Sequence, residues 1–244
     1  SGGVFYIRLE DTDTKREVQG SGESLIEQLK AFDVIPDEGY LSDSKEIGNY
    51  GPYKQSNRSL IYNTVIKHLI SIGRAYPCFC TPEELNELRK EQEANKEIPG
   101  YYGKYAKYRD FPVDEAIKKI ENGDPYIIRF KSMGDHNNKI FFHDEIKGDL
   151  ELTENDQDIV ILKSDGLPTY HFAHLCDDHF MRTTHITRGE EWLSSLPIHL
   201  ELFDTLGFKR PKYAHLPVIM KVENGNRRKL SKRKDLEAAV SYFL

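Results

Sequence analysis

The sequence predicts an α/β fold in which strands and helices wind around a parallel sheet, with further helices and strands inserted in mid-chain. The segment from Val4 to Leu9 is a short, nearly continuous apolar run, which is typical of a buried parallel strand. Two amphipathic segments follow, with apolar faces over 25–32 and 60–70, and a glycine-containing loop over 39–52 separates them. A strand followed by helices in this order favours a wound α/β domain.

The middle of the chain has a different character, which begins at Tyr76. A capping box over Thr81–Glu84, with proline in the first turn, predicts a helix that runs to about Asn95. Strand-like segments follow at 126–131, 139–143, 149–152 and 158–163. This combination predicts an inserted unit of helix plus sheet.

The last part of the chain returns to the pattern of the main domain. Helical patterns resume at Thr169, Pro197 suits the first turn of a helix, and Gly207 suits its end. Residues 213–219 then indicate another buried strand, which leads into a basic loop. The predicted division is a main domain in two parts, 1–75 and 168–244, interrupted by an insertion over 76–167.

Composition excludes some classes of protein and leaves others open. The 244 residues carry a net charge of −6, so the chain as a whole is no general polyanion binder, although residues 209–234 are strongly basic. Three cysteines form no disulfide framework, which suggests a reducing compartment. No apolar run of about 18 residues and no signal peptide is visible, so we expect a cytoplasmic protein. The start, Ser1-Gly2-Gly3, leads us to expect a fragment that begins inside a domain.

Two polar motifs suggest nucleotide chemistry. Lys229, Ser231 and Lys232 form a Lys-x-Ser-Lys core, and lysines with this spacing can converge on phosphates while charge builds up during phosphoryl or nucleotidyl transfer. A solvated basic patch or a localisation signal is the alternative for such a run. The acidic turn over 10–13 follows the first predicted strand, where a binding residue at a strand's carboxyl end would lie.

These motifs belong to a series that runs in a particular order along nearly the whole chain. The members are Arg8–Asp13, Gly51–Ser56, Asp165–His171, Asp177–His179, Arg188–Trp192, Tyr213–Pro217 and Lys229–Arg233. Together they resemble the catalytic region of class I glutamyl-tRNA synthetase. The resemblance implies a Rossmann-type catalytic domain with an inserted α+β domain that binds the tRNA acceptor end. It implies a bacterial-type glutamate–tRNA ligase that uses ATP, Mg²⁺, L-glutamate and tRNA(Glu), and we expect a monomer.

The resemblance also implies a glutamate pocket. Glu10 would hold the substrate's ammonium group, where the alternative is an acid that satisfies a turn. Arg188 would clamp the side-chain carboxylate, because a guanidinium offers a bidentate fork that rejects the amide of glutamine; the alternative is a surface ion pair with Glu190 or Glu191. Tyr170 and His174, one helical turn apart, would face the same pocket, although many relatives carry asparagine where His174 stands.

A second group of residues is implied for ATP. Glu191, Trp192 and Ile219 would border the nucleotide, with Lys229, Ser231 and Lys232 at its phosphates. The two lysines would be catalytic, because they would steady the triphosphate as pyrophosphate leaves. Trp192, the only tryptophan, is otherwise explained as core or groove lining.

The sequence departs from the family pattern in two respects. The His-x-Gly-His signature, which lies upstream in the family, is absent, and so are the helical anticodon-binding domains; we therefore expect weak or no activity from this chain alone. Cys78 and Cys80 match part of a zinc site found in some relatives, but the matching later stretch, 101–108, lacks thiols and imidazoles, so bound zinc is not expected.

Two other functions compete with this interpretation. One is the related enzyme that glutamylates queuosine in tRNA, which has a similar catalytic region but no anticodon domain. The other is a metal-dependent hydrolase, since His171, His174 and Asp178 would share one face of a helix. The hydrolase leaves Glu10 and the Lys-x-Ser-Lys motif unexplained. A catalytically silent tRNA-binding module would also describe a truncated chain.

Overall fold

A computed structural model describes residues 2–13, 20–223, 225–230 and 235 of the chain. Its α-helices are α1 (Ser21–Ala31), α2 (Ser59–Ser71), α3 (Pro82–Ala94), α4 (Val113–Glu121), α5 (Tyr170–Phe180) and α6 (Leu196–Thr205). Its strands are β1 (Tyr6–Ile7), β2 (Glu38–Ser42), β3 (Lys45–Ile47), β4 (Ala75–Cys78), β5 (Ile127–Phe130), β6 (Lys139–Asp144), β7 (Gly148–Thr153), β8 (Val160–Leu162), β9 (His185–Gly189), β10 (Lys212–Leu216), β11 (Met220–Glu223) and β12 (Asn226–Lys229). Short 3₁₀ helices span Gln55–Arg58, Gly103–Tyr105 and Glu190–Ser195.

The strands of the described residues form small sheets, and two of these sheets contain parallel pairs, as an α/β fold requires. β1 lies parallel to β2, which pairs in the antiparallel sense with β3. A four-stranded sheet has the order β7-β6-β10-β9, in which β10 lies parallel to both β9 and β6. This sheet joins strands from the predicted insertion to strands near the end of the chain, so the two regions are structurally continuous there. The domain limits given above stay a prediction.

The main core lies between helices of both parts of the chain and the sheet β4-β5-β8. Its fully buried members include Tyr62, Leu69, Phe130, Ile161, Phe172, Leu175 and Phe203. Burying an aliphatic or aromatic side chain of this size contributes roughly 1.5 to 3 kcal/mol each. The core therefore holds α5 and α6, which carry residues of the candidate site, against a rigid support.

Several predicted elements are confirmed, and one helix start is confirmed in atomic detail. The Thr81 hydroxyl accepts a hydrogen bond from the Glu84 amide at 3.2 Å, while the Thr81 amide donates to the Glu84 carboxylate at 2.9 Å. These reciprocal bonds satisfy two backbone donors that a helix start leaves unpaired. Helix α3 accordingly begins at Pro82 and ends at Ala94.

The predicted loop over 39–52 was wrong, because it contains the hairpin β2–β3. Gly39 has φ 115°, and a Cβ there would lie 2.2 Å from the carbonyl oxygen of Ile7. Glycine therefore permits close approach of β2 to β1 in this case rather than marking a loop. The apolar face predicted over 60–70 was also too wide. On helix α2, Leu60 is 82% exposed, whereas Val65 and Leu69 are buried.

A buried carboxylate on α5 ties the beginning of the chain to its second half. Asp177 accepts hydrogen bonds from Arg58 Nε at 2.6 Å, from the Tyr62 hydroxyl at 2.8 Å and from Gln55 Nε2 at 2.9 Å. Arg58 also donates to the carbonyl of Pro52 at 2.7 Å. A buried ion pair is tolerated when its remaining donors and acceptors are satisfied in this way.

We expect Arg58→Ala to lower the free energy of unfolding by about 3 to 5 kcal/mol, because it removes the closer of two guanidinium groups that pair with buried Asp177, the other being Arg8 with Nε at 3.7 Å. The matched control is Arg89→Ala, whose guanidinium forms an exposed ion pair with Glu93 at 2.8 Å. That change should cost less than about 1 kcal/mol. Urea denaturation of both variants is the measurement, and similar losses in the two would contradict the role given to Arg58.

Candidate active site

The described residues form a cleft of about 490 Å³ at the end of β1. Its walls come from the turn 9–13 that follows β1, from the start of α1, and from the side chains of Tyr40, Tyr170 and Trp192. The cleft therefore brings together residues from both ends of the chain. Glu10, Tyr170 and Trp192, which are remote in sequence, line the same space.

Glu10 stands at the mouth of this cleft and has a charged neighbour. Arg8 donates to the Glu10 carboxylate at 3.0 Å and to Asp178 at 2.9 Å, so one guanidinium bridges the turn and helix α5. Glu10 remains partly exposed, with 37% of its side chain accessible. The next residue, Asp11, is buried and accepts a hydrogen bond from the Ser56 amide at 2.8 Å, which anchors the turn.

Tyr170 and His174 lie one turn apart on α5, and their rings stack with centroids 4.7 Å apart. His174 Nδ1 is 2.8 Å from the carbonyl oxygen of Tyr170, so this nitrogen donates. Burial lowers the pKa of His174 to about 4, which keeps the ring neutral. Its Nε2 is therefore a lone-pair acceptor, and it has no hydrogen-bond partner among the described residues.

Arg188, near the end of β9, is held from several sides. Its Nε donates to His215 Nε2 at 2.9 Å, its Nη1 donates to His199 Nδ1 at 3.2 Å, and its Nη2 donates to the carbonyl oxygen of Trp192 at 3.4 Å. The guanidinium also lies over the ring of Tyr213, with Cζ 4.8 Å from the centroid. These contacts fix the orientation of the fork in the unliganded protein.

The surface ion pair suggested as the alternative for Arg188 is not formed among the described residues. Glu190 pairs with Lys147, and Glu191 pairs with Lys229 at 2.6 Å. Both carboxylates thus have other cationic partners. Arg188 is left with neutral acceptors, which do not neutralise its charge.

The structure brings some of the residues expected at ATP together, next to the 3₁₀ helix 190–195. Glu191 contacts Lys229, which ends β12, and the Leu230 amide donates to the carbonyl oxygen of Ile219 at 2.9 Å. Trp192 faces the other way, and its ring lies 4.6 Å from that of Tyr170. Ser231 and Lys232 lie outside the described residues.

The hydrolase alternative finds no metal site in the part of the chain that the structure describes. No group of three or more His, Cys, Asp or Glu side chains could hold a metal ion there. His171 Nδ1 contacts His199 Nε2 at 3.0 Å, and Asp178 is paired with Arg8. Two of the three proposed ligands therefore have partners of their own.

Cys78 and Cys80 share a different neighbour. Each thiol lies 3.5 Å from the hydroxyl of Tyr101. The hydrogen bond from Cys80 lowers the pKa of Cys78, since it stabilises the thiolate. A phenol is no zinc ligand of the usual set, and the described residues hold no group of three or more His, Cys, Asp or Glu side chains that could bind a metal ion.

Comparison with known proteins places this geometry in a family. Residues 1–242 match the family described as tRNA synthetases class I (E and Q), catalytic domain. The chain belongs to this family. The resemblance and the Rossmann-type fold predicted from the sequence are thereby confirmed.

The similar proteins are longer than this chain. A glutamate–tRNA ligase of Clostridium beijerinckii is 59% identical over 243 residues, which cover 100% of the chain and 44% of the relative. One of Clostridium perfringens is 56% identical over the same share of both. A crystal structure of a glutamate tRNA ligase from Elizabethkingia meningosepticum, in complex with its amino acid, superposes on this chain with a TM-score of 0.84 at 40% sequence identity. The superposition covers 95% of this chain and 46% of that protein. The chain thus spans less than half the length of the curated relatives it matches.

Some residues of this class I synthetase site were missed by the sequence reasoning. His199 and His215 contact Arg188 directly, and Asp144 lies behind His215. Asp144 and His215 are separated by 71 positions, so no spacing rule connects them.

Among the described helices, none is long and apolar enough to cross a membrane.

We expect this synthetase domain to lose stability in mild acid because its site histidines are buried in the neutral form. Burial lowers the pKa of His174 from 6.5 to about 4. Between these values the unfolded chain binds a proton that the folded chain does not, so the free energy of unfolding falls as the pH falls. The loss from His174 should reach about 2 kcal/mol at pH 5.

Urea denaturation at pH 7 and pH 5 measures this effect. His174→Asn should reduce the difference between the two pH values by about 2 kcal/mol. Asn63→Ala, on the exposed side of α2, is the control; it removes no titrating group and should leave the difference unchanged. An equal pH dependence in wild type and His174→Asn would contradict the assignment.

Proposed function

We propose that this chain is the catalytic region of a glutamate–tRNA ligase. It would join L-glutamate to ATP, giving glutamyl-adenylate and pyrophosphate, and pass the glutamyl group to the 3′ end of tRNA(Glu). The observation that carries the proposal is a cleft with opposite charges beside it: Glu10 lines it with Tyr170 and Trp192, and Arg188 Nη2 donates to the carbonyl oxygen of Trp192 at 3.4 Å. Burial raises the pKa of Tyr170, the Glu10 carboxylate raises it further, and the Arg188 guanidinium lowers it, so both charges act on one hydroxyl.

Glutamate fits such a pair because it carries an ammonium group and a second carboxylate. Glu10 would accept hydrogen bonds from the ammonium, while Arg188 would donate to the side-chain carboxylate. Tyr170 and His174 would line the space between them. Glutamine would be rejected, because its amide N–H groups would face the N–H groups of Arg188 and leave buried donors unpaired.

ATP would lie beside this pocket, along Glu191, Trp192 and Ile219, with Lys229, Ser231 and Lys232 near its phosphates. The pair of Lys229 with Glu191 supports this placement, because it holds a cationic group on the surface next to Trp192. Mg²⁺ usually keeps several waters and binds through substrate phosphates, so it needs no cage of protein carboxylates. The lysines would offset the negative charge that develops as pyrophosphate leaves.

The named relatives favour this function over glutamylation of queuosine, since those of both Clostridium species are glutamate–tRNA ligases. Contacts to tRNA, a monomeric state and a place in the cytoplasm are part of the same proposal. The chain would use its insertion for the acceptor end. The choice between tRNA(Glu) and tRNA(Gln) would depend on recognition of the anticodon, which the residues of this cleft do not contact.

Calorimetry with a non-hydrolysable glutamyl-adenylate analogue tests the proposal, with the glutaminyl analogue as control ligand. We expect the glutamyl form to bind selectively. Arg188→Ala should weaken its binding by about 30-fold or more, because truncating one side of a buried, hydrogen-bonded charge pair costs at least about 2 kcal/mol.

Arg210→Ala is the matched control variant, since Arg210 is an arginine at the surface that pairs with Asp204. Its affinity for the glutamyl analogue should equal that of the wild type. Equal binding of the two analogues by the wild-type chain, or unchanged binding by Arg188→Ala, would overturn the proposed function.

A further inference from the structure

Arg188, on β9, is connected to a buried acid on β6, two strands away in the four-stranded sheet. Its Nε donates to His215 Nε2 at 2.9 Å, and His215 Nδ1 lies 2.6 Å from Asp144 Oδ2. His215 and Asp144 both have no exposed surface. The three side chains form a continuous row from β6 through β10 to β9, in a sheet where Tyr213 is opposite Asp144 and His215 is opposite Arg188.

The donors and acceptors along this row allow one arrangement of protons. Burial raises the pKa of Asp144, but hydrogen bonds from His215 and from the amides of Lys147 and Ile146 outweigh it and bring the pKa to about 2. Asp144 is therefore ionised and only accepts. Arg188 Nε–H only donates. His215 between them must carry its proton on Nδ1 and present a lone pair at Nε2.

Asp144 is a rigid anion because the tip of the β6–β7 hairpin surrounds it. Its Oδ1 accepts from the amides of Ile146 at 3.0 Å and Lys147 at 2.9 Å. Lys147 in turn pairs with Glu190, whose carboxylate accepts from the Val218 amide at 3.2 Å. The hairpin tip is thus attached to the segments on both sides of the candidate site.

We propose that Asp144 and His215 are positioning residues for the carboxylate-binding guanidinium. Ionised Asp144 holds the proton of His215 on Nδ1, so that Nε2 accepts from Arg188 Nε and sets the direction of the fork. The inference rests on the proposed function, because it takes Arg188 to bind the substrate's carboxylate. It adds that a hairpin from the middle of the chain controls discrimination between a carboxylate and an amide.

The remaining contacts of Arg188 agree with this role. A guanidinium has five N–H donors, and the bonds to His215, His199 and Trp192 use three of them. The other two, one on Nη1 and one on Nη2, are left for a ligand. Because every acceptor that holds the fork is neutral, its positive charge stays available to an incoming carboxylate.

Asp144→Asn tests the proton arrangement while keeping the shape of the side chain. The amides of Ile146 and Lys147 require the carbonyl oxygen of the new amide at the Oδ1 position, so its NH₂ would face His215 Nδ1. His215 would then carry its proton on Nε2, where it would oppose Arg188 Nε–H. We expect at least tenfold weaker binding of the glutamyl-adenylate analogue and a smaller preference over the glutaminyl analogue.

The same hairpin offers a matched control. Asp149 pairs with His143 Nδ1 at 2.6 Å, but 93% of the Asp149 side chain is exposed. Asp149→Asn removes an aspartate–histidine pair of the same type without touching Arg188. Its affinity for the analogue should stay within twofold of the wild type.

His215→Gln separates positioning from a merely structural role. A glutamine amide has no tautomers, and its oxygen can accept from Arg188 whichever residue occupies position 144. We expect His215→Gln to bind the analogue within about threefold of the wild type, and Asp144→Asn to have little further effect in that background. Equal losses from Asp144→Asn in both backgrounds would overturn the proposal.

A ¹⁵N spectrum of the histidine side chains in the unliganded chain reads the tautomer without any ligand. The expected result is a proton on Nδ1 of His215 in the wild type and on Nε2 in Asp144→Asn. If the wild type binds the analogue and Asp144→Asn binds equally well, the positioning role is wrong. If the wild type binds neither analogue, the proposed function is wrong, and the spectrum still decides whether Asp144 sets the tautomer.

Discussion

The arrangement of the whole site depends on the two adjacent carboxylates of α5. Asp177 points into the body of the protein, where Arg58 and Tyr62 hold it, and Asp178 points toward Arg8 at the end of β1. Because α5 also carries Tyr170 and His174, these ion pairs set the helix against the turn that carries Glu10. Buried charges of this kind stabilise little by themselves, but they permit few alternative arrangements.

Neutral histidines surround Arg188, the cation that is expected to meet the side-chain carboxylate of glutamate. Burial lowers the pKa of His171, His174, His199 and His215, and nearby positive charge from Arg188 acts in the same direction on each. The imidazoles therefore orient the guanidinium as hydrogen-bonding groups without adding charge. The physical consequence is a pocket that favours an anion and holds its donors in fixed directions. Protonated rings could no longer accept from the guanidinium, so those directions would be lost.

Much of the fold and part of the site could be predicted from the sequence, for reasons visible in particular elements. The capping box of α3 and the apolar run of α2 are local signals, and the structure contains both helices. The motif series named Glu10, Tyr170, His174 and Arg188 together because it resembles a family. In the structure the rings of Tyr170 and His174 stack, and Glu10 lines the same cleft as Tyr170. Helix α4 and the hairpin β2–β3 were missed, and the hairpin is held in place by the pairing of β2 with β1, in which Tyr6 lies opposite Glu38.

The sequence by itself determined the family, several of the helices and strands, and the chemical types at the candidate site. Tertiary structure alone decided that Asp144 lies behind His215 and His215 behind Arg188, because parallel strand register, not spacing along the chain, brings them into one row. It also decided the protonation of those groups, since burial and hydrogen-bond partners set a pKa. A sequence states which groups can ionise; the fold determines which of them do so and where their protons lie.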